Sequence, residues 1–119
     1  MSLLVFNSSN RIAQGVVRRL YGSGSFEKIV CADVYPTYQS IQRFLDFKSQ
    51  LDAEASTSLT DIKISERTDL ANAINRATHV LYITHDYYTL TASKLNLIKT
   101  TSELAKKNKN LKKFVALTP

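Results

Sequence analysis

Five short apolar runs separated by four stretches of helical periodicity do most to restrict the fold of this 119-residue chain. The first run, at 2–6, sets Leu3, Leu4, Val5 and Phe6 in succession, as in a strand covered on both faces. The second, at 28–34, carries Ile29, Val30, Cys31 and Ala32, and residues 61–64 alternate as a short third strand after a break at 56–60. Residues 79–84 are the richest in β-branched and aromatic side chains, and 111–117 form the fifth run. Between these runs, Ile12, Val16, Val17 and Leu20 share one helical face, as do Ile41, Phe44, Leu45 and Leu51 over 37–55. Thr68 and Asp69 form an N-cap pair before a third helix that buries Leu70, Ala73, Ile74 and Ala77. The fourth helix, 91–107, turns Leu95, Ile98 and Ala105 inward, with Leu97 and Leu104 beside them. Strictly alternating strands and helices with right-handed crossovers predict a single α/β domain over 1–119. Its sheet is doubly wound, parallel and five-stranded, in the order 3-2-1-4-5, with helices on both faces.

The loop after the first strand, Asn7-Ser8-Ser9-Asn10-Arg11-Ile12-Ala13, stands where such sheets hold a diphosphate on backbone N–H groups at a helix N-terminus. Its spacing matches a G-x-x-G-x-x-G motif whose glycine slots hold Asn7, Asn10 and Ala13. Asn tolerates positive φ better than most residues, so Asn7 preserves the turn. Asn10 puts an amide where a bare backbone would meet the phosphate, and Ala13 is the mildest replacement for a packing glycine. Asp33, at the end of the second strand, lies twenty residues beyond Ala13, in the position of a ribose-binding carboxylate. Two readings follow. Either a dinucleotide binds through Asn7, Ser8, Ser9, Asn10, Arg11 and Ile12, with Asp33 and Thr84 at the strand ends, or the loop is closed, with Asn7 or Asn10 capping the first helix. The second reading is favoured.

Composition narrows the class. A content of 44% hydrophobic and 22% charged residues is that of a globular domain, and no apolar run approaches the roughly 20 residues that span a bilayer. No secretory signal is evident, since the first strand follows Met1 directly. The single cysteine, Cys31, excludes an internal disulfide and reads as a small core residue. The net charge of +6 is localised: residues 94–113 hold seven lysines and one acid, Glu103, and the rest of the chain is neutral. Lysines near a helix C-terminus complement its dipole, which is one reading of this segment. A basic face toward anionic lipid or RNA is the other, although no interleaved aromatics support nucleic acid. His79 and His85 flank the fourth strand and are expected to be structural rather than metal ligands. His85-Asp86 lies where α/β sheets bind ligands.

Taken in order, the loop 7–13, Asp33, the strand Val80-Leu81-Tyr82-Ile83, the helix segment Asn96-Leu97-Ile98-Lys99-Thr100-Thr101 and the run Lys113-Phe114-Val115 carry a family resemblance. The chain resembles the N-terminal half of an atypical or extended short-chain dehydrogenase/reductase, the epimerase-like group with an NAD(P)-binding Rossmann domain. The resemblance implies that fold and an NAD(P)(H) site. The family's Tyr-x-x-x-Lys catalytic pair occurs nowhere in this chain, and the substrate-binding portion is missing. No catalytic and no metal-binding residue is therefore expected, and the cofactor is either none or NAD(P)(H). The chain is also similar to the epimerase-like accessory subunit of mitochondrial complex I. That implies a non-catalytic accessory role among other protein subunits and a mitochondrial location, with the cytoplasm as the alternative. The rival reading is the cofactor-binding part of an oxidoreductase completed by other residues.

Overall fold

The computed structural model describes residues 1–7, 11–21, 23, 25–34, 38–51, 58–64, 67–83 and 92–117. At 33–34, 40, 58, 61, 63, 67, 92–98 and 117 it describes the backbone alone. Nine elements alternate along the chain: β1 (Ser2–Phe6), α1 (Arg11–Leu20), β2 (Lys28–Val34), α2 (Tyr38–Ser49), β3 (Ser58–Ile64), α3 (Arg67–Asn75), β4 (His79–Ile83), α4 (Ala92–Lys107) and β5 (Lys113–Leu117). Every strand pair is parallel and the sheet order is β3-β2-β1-β4-β5, the doubly wound arrangement expected from the alternation.

Side-chain alternation along each strand divides the interior into two layers. Leu4 and Phe6 point to the side that holds Leu70 and Ile74 of α3, Ala77 just beyond it and Ala105 of α4. Leu3 and Val5 point to the other side, onto Ala13 and Val17 of α1 and Phe44 and Phe47 of α2. The central strand is thus apolar on both faces, which explains its unbroken hydrophobic run. Complete burial of a side chain such as Phe6 or Val17 stabilises the fold by about 1.5–3 kcal/mol. Cys31 is a buried thiol in the α1/α2 layer.

Several boundaries and faces differ from the pattern read along the chain. β3 begins at Ser58, three residues early, because Lys28, Ile29 and Val30 of β2 draw Ser58, Leu59 and Thr60 into register. α2 stops at Ser49, and it buries Phe44 and Phe47 while Leu45 stays 49% exposed. The expected stripe of Ile41, Phe44 and Leu45 is therefore rotated toward Phe47. α1 likewise buries Ala13 and Val17 and leaves Ile12 exposed. α3 starts at Arg67, so Thr68 and Asp69 occupy its first turn rather than its cap; there Asp69 still complements the dipole. β4 is described over His79–Ile83, with Thr84 outside the described residues, and β5 starts at Lys113. Among the described residues no helix is long and apolar enough to cross a membrane.

Candidate site at the carboxyl end of the sheet

In a doubly wound sheet the ligand crevice opens where the strand order reverses, here between β1 and β4. Asn7, the residue that follows β1, stands at that point. Its φ is 59°, in the left-handed region where asparagine is among the few tolerated non-glycine residues. The backbone turns there because the Asn7 N–H donates to the carbonyl of Ala32 in β2 at 2.6 Å. The carboxamide reaches the opposite way: Nδ2 donates to the carbonyl of Ile83, the last residue of β4. It is also hydrogen-bonded to the hydroxyl of Tyr82. One buried side chain thereby ties the carboxyl ends of β1 and β4 together across the crevice.

Tyr82 explains why asparagine suits this position. Its ring packs on Phe6, its register partner, with centroids 5.1 Å apart. The residue is only 2% exposed, so its hydroxyl needs an internal partner, and Asn7 supplies one. Burial pushes the Tyr82 hydroxyl up from 10.0 to about 12, with the Asn7 hydrogen bond opposing the shift. The neutral phenol thus favours the folded state. Stability is complete below pH 10 and falls as pH rises toward about 12, where the unfolded chain ionises first. Urea midpoints measured across that interval are expected to decline in the wild type and to decline less in Tyr82→Phe.

The other candidates divide clearly. Arg11 and Ile12 open α1 as exposed residues. Asp33 is the penultimate residue of β2, paired in register with Lys63 of β3. Ser8, Ser9, Asn10 and Thr84 lie outside the described residues, as do His85 and Asp86. His79 sits at the far end of β4, where its Nδ1 is 3.0 Å from the Thr78 hydroxyl and its ring meets Phe26 edge-on. Among the described residues no three His, Cys, Asp or Glu side chains come together to hold a metal. A half-open cavity of about 380 Å³ lies against the face of β1, β2 and β3 beside α3, with Leu4, Val30 and Ile62 on its floor. Ser2 and Lys28 line it, which places it toward the amino ends of the strands and away from Asn7.

Asn7 was recognisable in the sequence as a turn former, but its cross-sheet carboxamide was not. The available signal was Tyr82, a phenol set among Val80, Leu81 and Ile83.

No family model matches the chain, and no curated protein matches it. Five chains among solved structures do match. One is described as the crystal structure of gox2253; it superposes with a TM-score of 0.59 at 15% identity. The match covers 97% of this chain and 33% of that one, so the chain spans about a third of that structure's length. At this identity the likeness shows the α/β fold alone.

Proposed function

We propose that this chain is a non-catalytic Rossmann-like accessory subunit of a larger protein assembly, with dinucleotide binding weakened or lost. The observation that carries the reading is the Asn7 carboxamide, which joins β1 to the Ile83 carbonyl where a dinucleotide domain keeps its crevice open. A glycine at this position leaves room for phosphate against the backbone, whereas Asn7 fills its surroundings with its own hydrogen bonds. The missing Tyr-x-x-x-Lys pair agrees with a role outside catalysis. Ile12, Tyr38 and Leu45, three exposed large apolar side chains, all belong to α1 and α2, and this layer is the natural contact with other subunits. Resemblance to the accessory subunit of mitochondrial complex I makes a mitochondrial respiratory complex the assembly of choice.

The test is the native size of the particle that carries the tagged chain, fractionated from a gentle lysate of its own cell. A particle far above 13.4 kDa with a constant set of companions is expected. Calorimetric titration with NAD(H) and NADP(H) is expected to show no saturable binding below about 1 mM, the concentration that corresponds to roughly 4 kcal/mol. A free chain carrying NAD(H) would overturn the reading. It would favour the alternative, the cofactor-binding part of an NAD(P)-dependent oxidoreductase. The position of Asp33 near the carboxyl end of β2 supports that alternative. In that case Asp33→Ala would abolish the binding.

A further inference from the structure

An all-parallel sheet with returning helices gathers every strand start and every helix C-terminus at one end of the molecule. In this chain that end is cationic. α1 finishes on Arg18 and Arg19, α2 on Lys48 and α4 on Lys106 and Lys107. Arg76 follows α3, and Lys28 and Lys113 open β2 and β5. Lys109 and Lys112 stand in the connection between α4 and β5. All of these side chains are exposed, and they make up ten of the sixteen Lys and Arg residues. The opposing acids near this end, among the described residues, are Glu27, Asp46 and Glu103. Glu27 lies 4.0 Å from the Met1 amino group, and Asp46 accepts a hydrogen bond from Gln42.

Helix dipoles do not account for so much charge. Each C-terminus presents about half a negative charge, so four helices are neutralised by about two cations. The surplus is spread over all four helix ends and two strand starts, and so covers an end face rather than a groove. We infer that this end of the sheet docks on an anionic lipid bilayer, through the cationic surface formed jointly by the helix C-termini and the α4–β5 connection.

Three observations favour lipid over the other polyanions. The corner around α4 and β5 is built from lysine alone, a compact point charge suited to a diffuse anionic surface rather than to forked phosphate recognition. The described aromatic side chains near this end, Tyr21, Phe26 and Phe114, are at most partly exposed, so bases have little to stack on. Protein interfaces are depleted in lysine and anchored by aromatics and arginine, the reverse of this composition. Met1, 50% exposed beside these charges, is a large apolar side chain placed to enter a headgroup layer.

The full chain is to be floated with vesicles of phosphatidylcholine alone or of phosphatidylcholine and phosphatidylserine in a two-to-one ratio. At about 0.1 M salt, where charges act over about 10 Å, it should partition onto the anionic vesicles only and leave them at about 1 M. Each cation near the surface raises partition about fivefold, so Lys109→Gln/Lys112→Gln/Lys113→Gln should lower it about a hundredfold. Lys106→Glu/Lys107→Glu changes four charges and should lower it by several hundredfold. Arg43→Glu/Lys99→Glu removes the same charge from mid-helix and should lower it less than about fivefold. Circular dichroism of each variant separates loss of docking from loss of fold. Failure of the wild type to bind anionic vesicles would overturn the proposal, as would equal losses at both sites or tighter binding to polyuridylate at the same salt. The surface lies at the opposite end from Asn7, so neither the native-size result nor the nucleotide titration bears on it.

Discussion

Asn7→Ala is expected to destabilise the domain by about 3–4 kcal/mol, the sum of one backbone effect and two lost side-chain bonds. Alanine at a φ of 59° bears about 1–2 kcal/mol of steric strain. Removal of the carboxamide takes a buried donor from the Ile83 carbonyl and a partner from the Tyr82 hydroxyl. Each such loss costs about 1–3 kcal/mol, and partial relaxation holds the total near the lower end. Asn7→Gly isolates the second part. It restores backbone freedom, so its loss should be smaller than that of alanine by about 1–2 kcal/mol. Urea denaturation of the three proteins measures both differences. Equal stability of Asn7→Ala and wild type would mean that the cross-sheet bonds contribute nothing.

The second large effect is expected at Asn108, at the other end of the molecule. Asn108 follows α4, and its backbone N–H donates to the Ala105 carbonyl at 3.1 Å. Its side chain serves the neighbouring helix. Nδ2 donates to the carbonyls of Ile74 and Ala77, at 2.7 and 3.0 Å, where α3 ends. Oδ1 accepts from the Asn110 N–H at 2.9 Å. The Ile74 carbonyl, in the last turn of α3, also accepts from the Ala77 N–H, and the Ala77 carbonyl lies just past the helix; Asn108, which follows α4, serves both. Asn108→Ala should cost about 2–4 kcal/mol through three lost bonds in a buried site. Asn108→Asp keeps the Oδ1 acceptor but sets a carboxylate against two carbonyl oxygens, so it should cost at least as much at neutral pH. Thermal unfolding reads both. A loss below about 0.5 kcal/mol, the level of an ordinary surface change, would show that α3 does not depend on this contact.

The strand order and the two-layer core were legible because they rest on local patterns. β1 is apolar at every position from Leu3 to Phe6 and must be central, while alternation assigns the remaining strands to their faces. The errors lie where a distant partner decides. Ser58 and Thr60 read as a break and become strand only because β2 offers them a ladder. Phe47 takes the core position expected of Leu45, and its ring also lies 5.5 Å beneath the Arg18 guanidinium of α1. Arg18 further donates to Gln50 at 3.1 Å, a helix-to-helix link with no local signature. At the candidate site the turn at Asn7 was visible in its residue type. The use of its carboxamide was not, because Ile83 and Tyr82 come near only after the sheet has formed.

Both ends of β1 are laced to residues 76 positions away. At one end the Ser2 N–H donates to the Thr78 hydroxyl at 3.0 Å and the Thr78 N–H returns to the Ser2 carbonyl; at the other, Asn7 holds Ile83. The central strand is therefore translated first but cannot be completed until β4 has been made. Such non-local pairing raises contact order and slows folding. On the ribosome, the β1–β2 pair waits with one apolar edge unprotected from the end of β2 at Val34 until β4 is complete at Ile83. That interval, rather than the finished sheet, is when this chain is most exposed to aggregation and most dependent on chaperones.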